Sequence, residues 1–198
     1  MPIIGLTGGI ASGKSFVIKY IKGLRIPSHD SDKSIDLLYK KPSKTFLSYL
    51  EKNNFGRAIK NGKIRKNLVK EDIFNNRDKR EKLEIFLHKY VYQERKKFLK
   101  TNNKRKIIFL DIPLLFEKKL QNECDFVCST IASLKTREKR ALQRRGMNKA
   151  LFKLIVKTQV KNTERRLRSN FIINTEGTRA KTYLQVDNMI YYVLNKKI

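Results

Sequence analysis

The pattern G-x-x-x-x-G-K-S constrains this fold more than any other feature of the chain. It occupies residues 8–15, directly after the apolar run 2–7. Its glycines let the backbone curl so that N–H groups point at phosphate oxygens, and the following helix adds its positive N-terminus. The lysine of such a loop reaches the β- and γ-phosphates, and the next hydroxyl ligates Mg²⁺. The order strand, loop, helix therefore predicts a nucleoside-triphosphate site with Lys14 and Ser15 in these roles, the alternative being a fortuitous glycine-rich turn.

The length and composition fit one globular domain with insertions. The chain has 198 residues, 40% of them hydrophobic, which is enough to bury a sizeable core. No apolar run approaches the roughly 20 residues that a membrane span needs, and the opening residues are typical of a buried strand rather than a signal peptide. We therefore expect a cytoplasmic protein with no membrane partner. Its oligomeric state is not predicted.

The charge is strongly positive. Lys and Arg number 46 against 18 Asp and Glu, a formal net charge of +28. Such an excess is typical of nucleic-acid-binding proteins. However, the lysines are spread over nearly every segment, together with many Asn and Ile residues, which favours a general compositional bias. We do not expect nucleic acid as a partner, although the charge would also attract a phosphorylated, anionic substrate.

Short, continuously apolar runs predict the strands of a parallel sheet that is covered on both faces. These runs are Ile3–Thr7, Ile26–His29, Ile107–Leu110, Phe126–Ile131 and Phe171–Ile173. Helical patterns lie between and around them, at Ser15–Lys22, Ile35–Tyr39, Thr45–Lys52, Asp78–Lys100, Lys135–Arg145, Lys149–Lys161 and Arg179–Leu194. The alternation of strands and helices predicts a doubly wound α/β fold.

Two stretches interrupt this alternation. Residues 43–100 carry helical signals and no convincing strand, which predicts a helical insert, and residues 135–168 predict a smaller, basic helical excursion. The core of the single domain then comprises residues 1–42, 101–134 and 169–198. In the last helix we expect these side chains to face the core: Leu184, Val186, Ile190, Val193 and Leu194.

The two cysteines, Cys124 and Cys128, lie at or beside the predicted strand 126–131. No second cysteine pair and no nearby histidine completes a zinc set. We interpret both as reduced, structural cysteines, the alternative being a redox or metal role.

Acidic residues follow two of the predicted strands. Asp30 and Asp32 come after the second strand, and Asp111 ends the third. Ligands bind at the carboxyl ends of strands in open α/β sheets, where an acid can anchor Mg²⁺ or accept a proton from an attacking hydroxyl. Asp is also a common helix N-cap, so the pair at 30 and 32 leaves a capping role open. Asp111 has the alternative of a hydrogen bond to the lysine or serine of the loop.

These features together resemble the dephospho-coenzyme A kinase family. The family opens with L-T-G-G-I-x-S-G-K, matched at residues 6–14, and carries D-x-D soon after, matched at 30–32. Its D-x-P-L-L-[FY]-E motif is matched at 111–117, and these two acidic motifs together are far more specific than the phosphate loop. Further matches, which extend the resemblance over nearly the whole chain, are Lys139, Arg140, Gln143, Arg144, Gln159, Arg165 and Asn174.

The chain departs from the family pattern at a few places. Ala11 stands where the family usually has Gly, and Phe16 where it often has Thr. Lys89 replaces the Pro of a Leu-His-Pro sequence, next to His88, and residues 169–170 are Ser-Asn in place of Ala-Asp. None of these departures removes a catalytic group.

The resemblance implies a three-layer, five-stranded parallel sheet of the nucleotide-kinase type and transfer of the ATP γ-phosphoryl group to the ribose 3′-hydroxyl of dephospho-coenzyme A. Phosphoryl transfer needs positioning and charge neutralisation more than covalent participation. By resemblance, the residues that bind ATP are Gly8, Gly9, Ile10, Ala11, Ser12, Gly13, Lys14, Ser15, Phe16, Arg144 and Asn174. Those that bind the acceptor are Asp32, His88, Asp111 and Leu114.

The catalytic residues implied by the resemblance are Lys14, Asp32 and Arg140. Lys14 holds the triphosphate, and Asp32 orients and deprotonates the 3′-hydroxyl. Arg140 closes over the phosphates from residues 135–168, which would act as a lid.

Ser15 and Asp111 would hold Mg²⁺, partly through water, and the insert would hold the acceptor. The plainer alternatives are a solvated basic face for Arg140 and Arg144 and a core-edge position for His88. Two other functions compete with this one. The first is a kinase for another nucleoside or nucleotide, which the motif at 111–117 does not favour. The second is a nucleic-acid-binding ATPase, for which no basic patch with interleaved aromatic residues is present.

Overall fold

The structure is a computed structural model that describes residues 1–196. The chain divides into two compact units. One, here called the core unit, comprises Met1–His29 and the residues from Asn102 onward; the other, the insert unit, comprises Asp30–Thr101. The insert unit therefore begins earlier than the predicted insert at residue 43.

Within the described residues the strands are β1 (Ile3–Gly8), β2 (Ser28–Asp30), β3 (Ile59–Lys60), β4 (Lys63–Ile64), β5 (Ile108–Asp111), β6 (Phe126–Ile131) and β7 (Phe171–Asn174). The α-helices are α1 (Lys14–Gly23), α2 (Ser31–Lys40), α3 (Lys44–Lys52), α4 (Lys66–Asn75), α5 (Arg77–Thr101), α6 (Leu134–Leu142), α7 (Lys149–Thr158), α8 (Asn162–Arg168) and α9 (Arg179–Asn195). Every predicted strand and helix is present with small shifts at its ends, whereas α4 and α8 were not predicted as separate helices. None of the helices in this described part is long and apolar enough to cross a membrane.

Five strands form a parallel sheet in the order β2-β5-β1-β6-β7. The central strand is β1, where Ile4 pairs with Phe109 of β5 on one side and with Phe126 of β6 on the other. All six residues of β6 are buried, which is why its sequence shows no polar alternation. This arrangement confirms the predicted doubly wound α/β fold.

Helices α1 and α9 pack together in the core unit and share an apolar cluster with the sheet. Val186, Met189 and Val193 of α9 are buried, together with Thr182. Two of the predicted core positions are wrong, since Leu184 and Leu194 are 61% and 44% exposed. The buried positions recur every three or four residues, and one helix face cannot hold these two leucines as well.

The insert unit is built around a second apolar cluster, to which α2, α3, α4 and α5 all contribute. The expectation of no strand is corrected here, because β3 and β4 form a small antiparallel hairpin. Asn61 and Gly62 join them with φ angles of 51° and 70°, the left-handed pair that an Asn-Gly turn favours. Strands of two residues are too short to give a periodic signal. Helix α2 belongs to this unit because it packs against α5.

Both cysteines are free thiols. Cys128 lies buried in β6, and burial raises the pKa of its thiol to about 12. The thiol therefore stays protonated near neutral pH and packs as a small apolar side chain, in line with the structural role expected for it.

Candidate active site

The phosphate loop is the turn between β1 and α1. Gly13 is the N-cap of α1 with a φ of 93°, and a Cβ at this position would lie 2.8 Å from the side chain of Thr175. Backbone conformation and space therefore both require glycine at position 13. Ala11 also has a positive φ, 56°. A side chain in this region costs roughly 1–2 kcal/mol, which explains why glycine suits position 11.

Helix α1 has no side-chain cap among the described residues. By contrast, side chains cap the N-termini of α2, α3, α6, α7 and α9. The first N–H groups of a helix have no partner within the helix, and its dipole makes this end positive. The start of α1 therefore has the geometry of an anion site, as the motif predicts.

The loop lysine meets the acid that ends strand β5. Lys14 Nζ forms an ion pair with Asp111 Oδ1, and Asp111 is only 4% exposed. The alternative of a bond from Asp111 to the loop lysine is therefore observed. Ser15, the other predicted Mg²⁺ ligand, follows Lys14 in the first turn of α1 and is exposed.

The second acid of the 111–117 motif also meets a cation. Glu117 Oε1 accepts hydrogen bonds from Arg165 Nη2 at 2.7 Å and from the Val160 N–H at 2.9 Å. Arg165 is fully buried; burial lowers the pKa of its guanidinium, and Glu117 opposes that shift. Leu114, in the turn between the two acids, is 40% exposed. Of the two acids in this motif, Asp111 thus pairs with the lysine of the phosphate loop, and Glu117 pairs with Arg165.

Arg140 of α6 reaches the phosphate loop through one intermediate residue. Its Nη1 and Nη2 donate to Thr175 Oγ1 at 2.9 Å and to the Thr175 carbonyl at 2.7 Å. Thr175 Oγ1 in turn donates to the Ser12 carbonyl at 2.7 Å. Arg140 is therefore not on a solvated face. Arg144, one turn later, is exposed.

Residues 135–168 contact the loop at further points. Arg137 Nε donates to the Ile10 carbonyl at 2.8 Å, and the Ile10 N–H donates to Gln159 Oε1 at 2.7 Å. Ala11 packs in a cluster with Ala141 and Phe152. Arg137 and Thr175 were not predicted as site residues. The only sequence signal for Arg137 is its position three residues before Arg140, on the same face of a helix.

Two predicted ATP-binding residues have neighbours within the core unit. The Asn174 backbone N–H donates to Gln185 Oε1 at 2.9 Å, and its carbonyl accepts from Gln185 Nε2 at 3.0 Å. The ring of Phe16 stacks on Tyr183, with centroids 5.2 Å apart. These contacts tie the end of β7 and the first turn of α1 to α9.

The remaining predicted residues lie in the insert unit. Asp30 caps α2, accepting a hydrogen bond from the Lys33 N–H at 2.9 Å, so the capping interpretation is confirmed for this residue. Asp32 is exposed in the first turn of α2, and His88 is exposed on α5. The structure thus brings Lys14 and Asp111 together in the core unit and places Asp32 and His88 in the other.

Comparison with known proteins agrees with the motifs. A family model described as dephospho-CoA kinase matches residues 2–181. The chain belongs to the dephospho-CoA kinase family. A dephospho-CoA kinase of Bartonella quintana (strain Toulouse) is 36% identical over 196 residues, covering 98% of this chain and 99% of that one. Another, of Fusobacterium nucleatum subsp. nucleatum, is 35% identical over 190 residues, 93% of this chain and 95% of that one. The family predicted from the sequence is therefore confirmed.

Solved structures show the same fold. A crystal structure of a Thermus thermophilus protein matches with a TM-score of 0.84 at 23% identity, covering 98% of both chains. Dephospho-CoA kinase from Campylobacter jejuni matches with a TM-score of 0.72 at 22% identity, covering 99% of this chain and 98% of that one. The kinase-type, three-layer arrangement that the dephospho-CoA kinase motifs implied is therefore confirmed.

Proposed function

We propose that this chain transfers the γ-phosphoryl group of ATP to the ribose 3′-hydroxyl of dephospho-coenzyme A, giving coenzyme A. The observation that carries the proposal is the phosphate loop, with Lys14 beside Asp111 at the uncapped start of α1, in a chain of the dephospho-CoA kinase family. The family membership supports the activity predicted from the sequence.

The donor side of the reaction is assigned to the core unit. The N–H groups at the start of α1 bind phosphate oxygens, and Lys14 neutralises charge on the β- and γ-phosphates. Lys14 is held beside the loop by Asp111, so its ammonium group is already in place when ATP arrives. Such preorganised charge stabilises a transition state without a reorganisation cost.

The residues at this edge of the sheet fit a magnesium ion. Mg²⁺ takes oxygen ligands, and in kinase sites it uses one or two protein oxygens together with phosphates and water. The Asp111 carboxylate at the end of β5 and the Ser15 hydroxyl at the start of α1 supply such oxygens. Bound there, the ion would neutralise charge on the phosphate oxygens.

The acceptor side is assigned to the insert unit, residues 30–101. Asp32 follows β2, at the carboxyl end of a strand where open α/β sheets bind ligands, and it takes the proton of the 3′-hydroxyl. His88 and Leu114 contact the acceptor. Residues 135–168 form the lid, from which Arg140 and Arg144 approach the phosphates of ATP. The setting of this reaction is the cytoplasm.

A transfer assay tests the proposal directly. The purified chain is incubated with ATP, Mg²⁺ and dephospho-coenzyme A, and the product is followed by mass and by enzymatic detection of coenzyme A. Adenosine, AMP and single-stranded RNA serve as competing acceptors or activators. We expect coenzyme A to form, with much slower transfer to adenosine and AMP and no stimulation of ATP hydrolysis by RNA. Transfer to AMP but not to dephospho-coenzyme A, or RNA-dependent hydrolysis, would contradict the proposal.

A further inference from the structure

A buried guanidinium lies against the first turn of the phosphate loop. Arg137 is only 6% exposed, and its Nε donates to the Ile10 carbonyl at 2.8 Å. Its Nη2 lies 2.5 Å from where a Cβ of Gly9 would stand. A side chain at position 9 would therefore push this group away from the loop, although the φ of Gly9 is not positive. The guanidinium thus packs directly against the backbone at Gly9, in the space that a side chain there would take.

The charge of this guanidinium has no carboxylate partner. Among the residues that the structure describes, Arg137 forms no ion pair, and its single hydrogen bond is the one to Ile10. Burial lowers its pKa, and the positive charge of Arg165 lowers it further. An arginine nevertheless remains protonated in proteins. A buried cation without a counter-charge is unfavourable, and an anion beside it relieves that cost.

The other buried arginine of the same region shows the contrast. Arg165 is fully buried and is paired with Glu117 at 2.7 Å. Arg140 is half-buried and donates two hydrogen bonds to Thr175. The Nη groups of Arg137 make no hydrogen bond to any described residue, so four of its five N–H donors are uncommitted next to the loop that binds phosphate.

We infer that Arg137 is a positioning residue for the nucleotide: it fixes the Gly9–Ile10 turn and supplies the positive charge that draws a polyphosphate into the loop. The inference deepens the proposed function, since the polyphosphate is the triphosphate of ATP. Its effect falls on the nucleotide rather than on the acceptor. Removal of the charge raises the KM for ATP and leaves the KM for dephospho-coenzyme A unchanged.

Binding of inorganic pyrophosphate by calorimetry tests this inference without any acceptor or transfer step. We expect Arg137→Gln, which keeps an N–H donor and loses the charge, to weaken pyrophosphate binding about tenfold or more. Arg137→Lys, which keeps the charge, should stay within about threefold of the wild type. Lys135→Gln, the same change of charge at an exposed position of α6, is the matched control and should have little effect. The tenfold figure is the usual cost of one charge-assisted contact.

A second variant moves the guanidinium without removing it. Gly9→Ala leaves the net charge intact and displaces Nη2, so it should also weaken pyrophosphate binding. If Arg137→Gln does not fold, Arg137→Met, which keeps the apolar part of the side chain and loses the charge, replaces it in the titration; Gly9→Ala alone is not decisive, because Gly9 belongs to the phosphate loop itself. The inference is overturned if both Arg137→Gln and Gly9→Ala bind pyrophosphate like the wild type. It is also overturned if Arg137→Lys and Arg137→Gln lose binding equally and lose melting temperature equally, because the role is then structural. An absence of transfer to dephospho-coenzyme A would contradict the proposed function alone.

Discussion

The core unit and the insert unit hold their predicted functional residues in different ways. In the core unit, Lys14 forms an ion pair with Asp111, and Arg140 donates hydrogen bonds to Thr175. Each of these two cations is therefore held in place by a partner side chain. In the insert unit, Asp32 and His88 lie on exposed helix surfaces, while an apolar cluster stabilises the helices that carry them. The donor side is thus preorganised, and the residues assigned to the acceptor can be changed without touching the core of their unit.

The strongest test of the core unit is Lys14→Ala. We expect turnover to fall by about 10³-fold or more, because a preorganised charge on the transferred phosphates is lost. The melting temperature should also fall, because Asp111, only 4% exposed, loses its ion-pair partner, so circular dichroism is used to show that the variant is still folded. Lys19→Ala, at an exposed position of the same helix, is the matched control. Near-normal turnover in Lys14→Ala would refute the assignment of the phosphate loop.

The strongest test of the insert unit is Asp32→Asn. We expect ATP to bind as in the wild type and turnover to fall by roughly 10²–10⁴-fold, the range for a positioned general base. The substitution is nearly isosteric, and Asp32 does not cap α2, so the fold should be kept. Asp36→Asn, an exposed acid on the same helix that pairs with Lys66 at 2.6 Å, controls for charge. Unchanged turnover in Asp32→Asn would place the base elsewhere.

Arg140→Ala tests whether the contact with Thr175 serves the fold or the reaction. Because its charge matters most in the transition state, we expect turnover to drop by about 10²-fold and the binding of dephospho-coenzyme A to stay the same. Steady-state kinetics and calorimetry separate these two quantities. Equal losses in binding and turnover would indicate a structural role.

Hydrogen exchange tests the lid itself. We expect residues 142–151, which are mostly exposed and include Gly146 with a φ of 77°, to gain protection when a non-hydrolysable ATP analogue binds. Arg137, Ala141 and Arg165 are buried, so their surroundings should be protected in both states. Equal protection of 142–151 in both states, together with full activity of Arg140→Ala, would rule out a lid.

Ala11→Gly should have the smallest effect. Relief of the positive φ favours glycine by roughly 1–2 kcal/mol. This gain is offset by the greater chain entropy of glycine and by the loss of a methyl group that packs near Ala141 and Phe152. We expect the free energy of unfolding to change by less than about 1 kcal/mol in denaturant titrations. A larger loss would show that the methyl contact outweighs the strain.

The strands and the loop that form the ATP-binding side of the site could be predicted from local sequence patterns. The strands of the sheet are continuous apolar runs, and the phosphate loop is a contiguous motif, so both could be predicted from neighbouring residues alone. The contacts of Arg137 and Thr175 with the phosphate loop join residues more than 120 positions apart in the chain. Sequence patterns rest on spacings of a few residues, so they cannot predict contacts over such separations. The hairpin of β3 and β4 was missed for the opposite reason, since its strands are shorter than one period of alternation.

The buried thiol of Cys128 has a consequence for the handling of the acceptor. Coenzyme A and its precursor end in a thiol, and a protein thiolate could exchange with their oxidised forms to give a mixed disulfide. Burial raises the pKa of Cys128 to about 12, so its thiol stays protonated at pH 7 and does not supply the thiolate that such exchange requires. Because the Cys128 thiol is also fully buried, we expect strand β6 to take no part in such exchange.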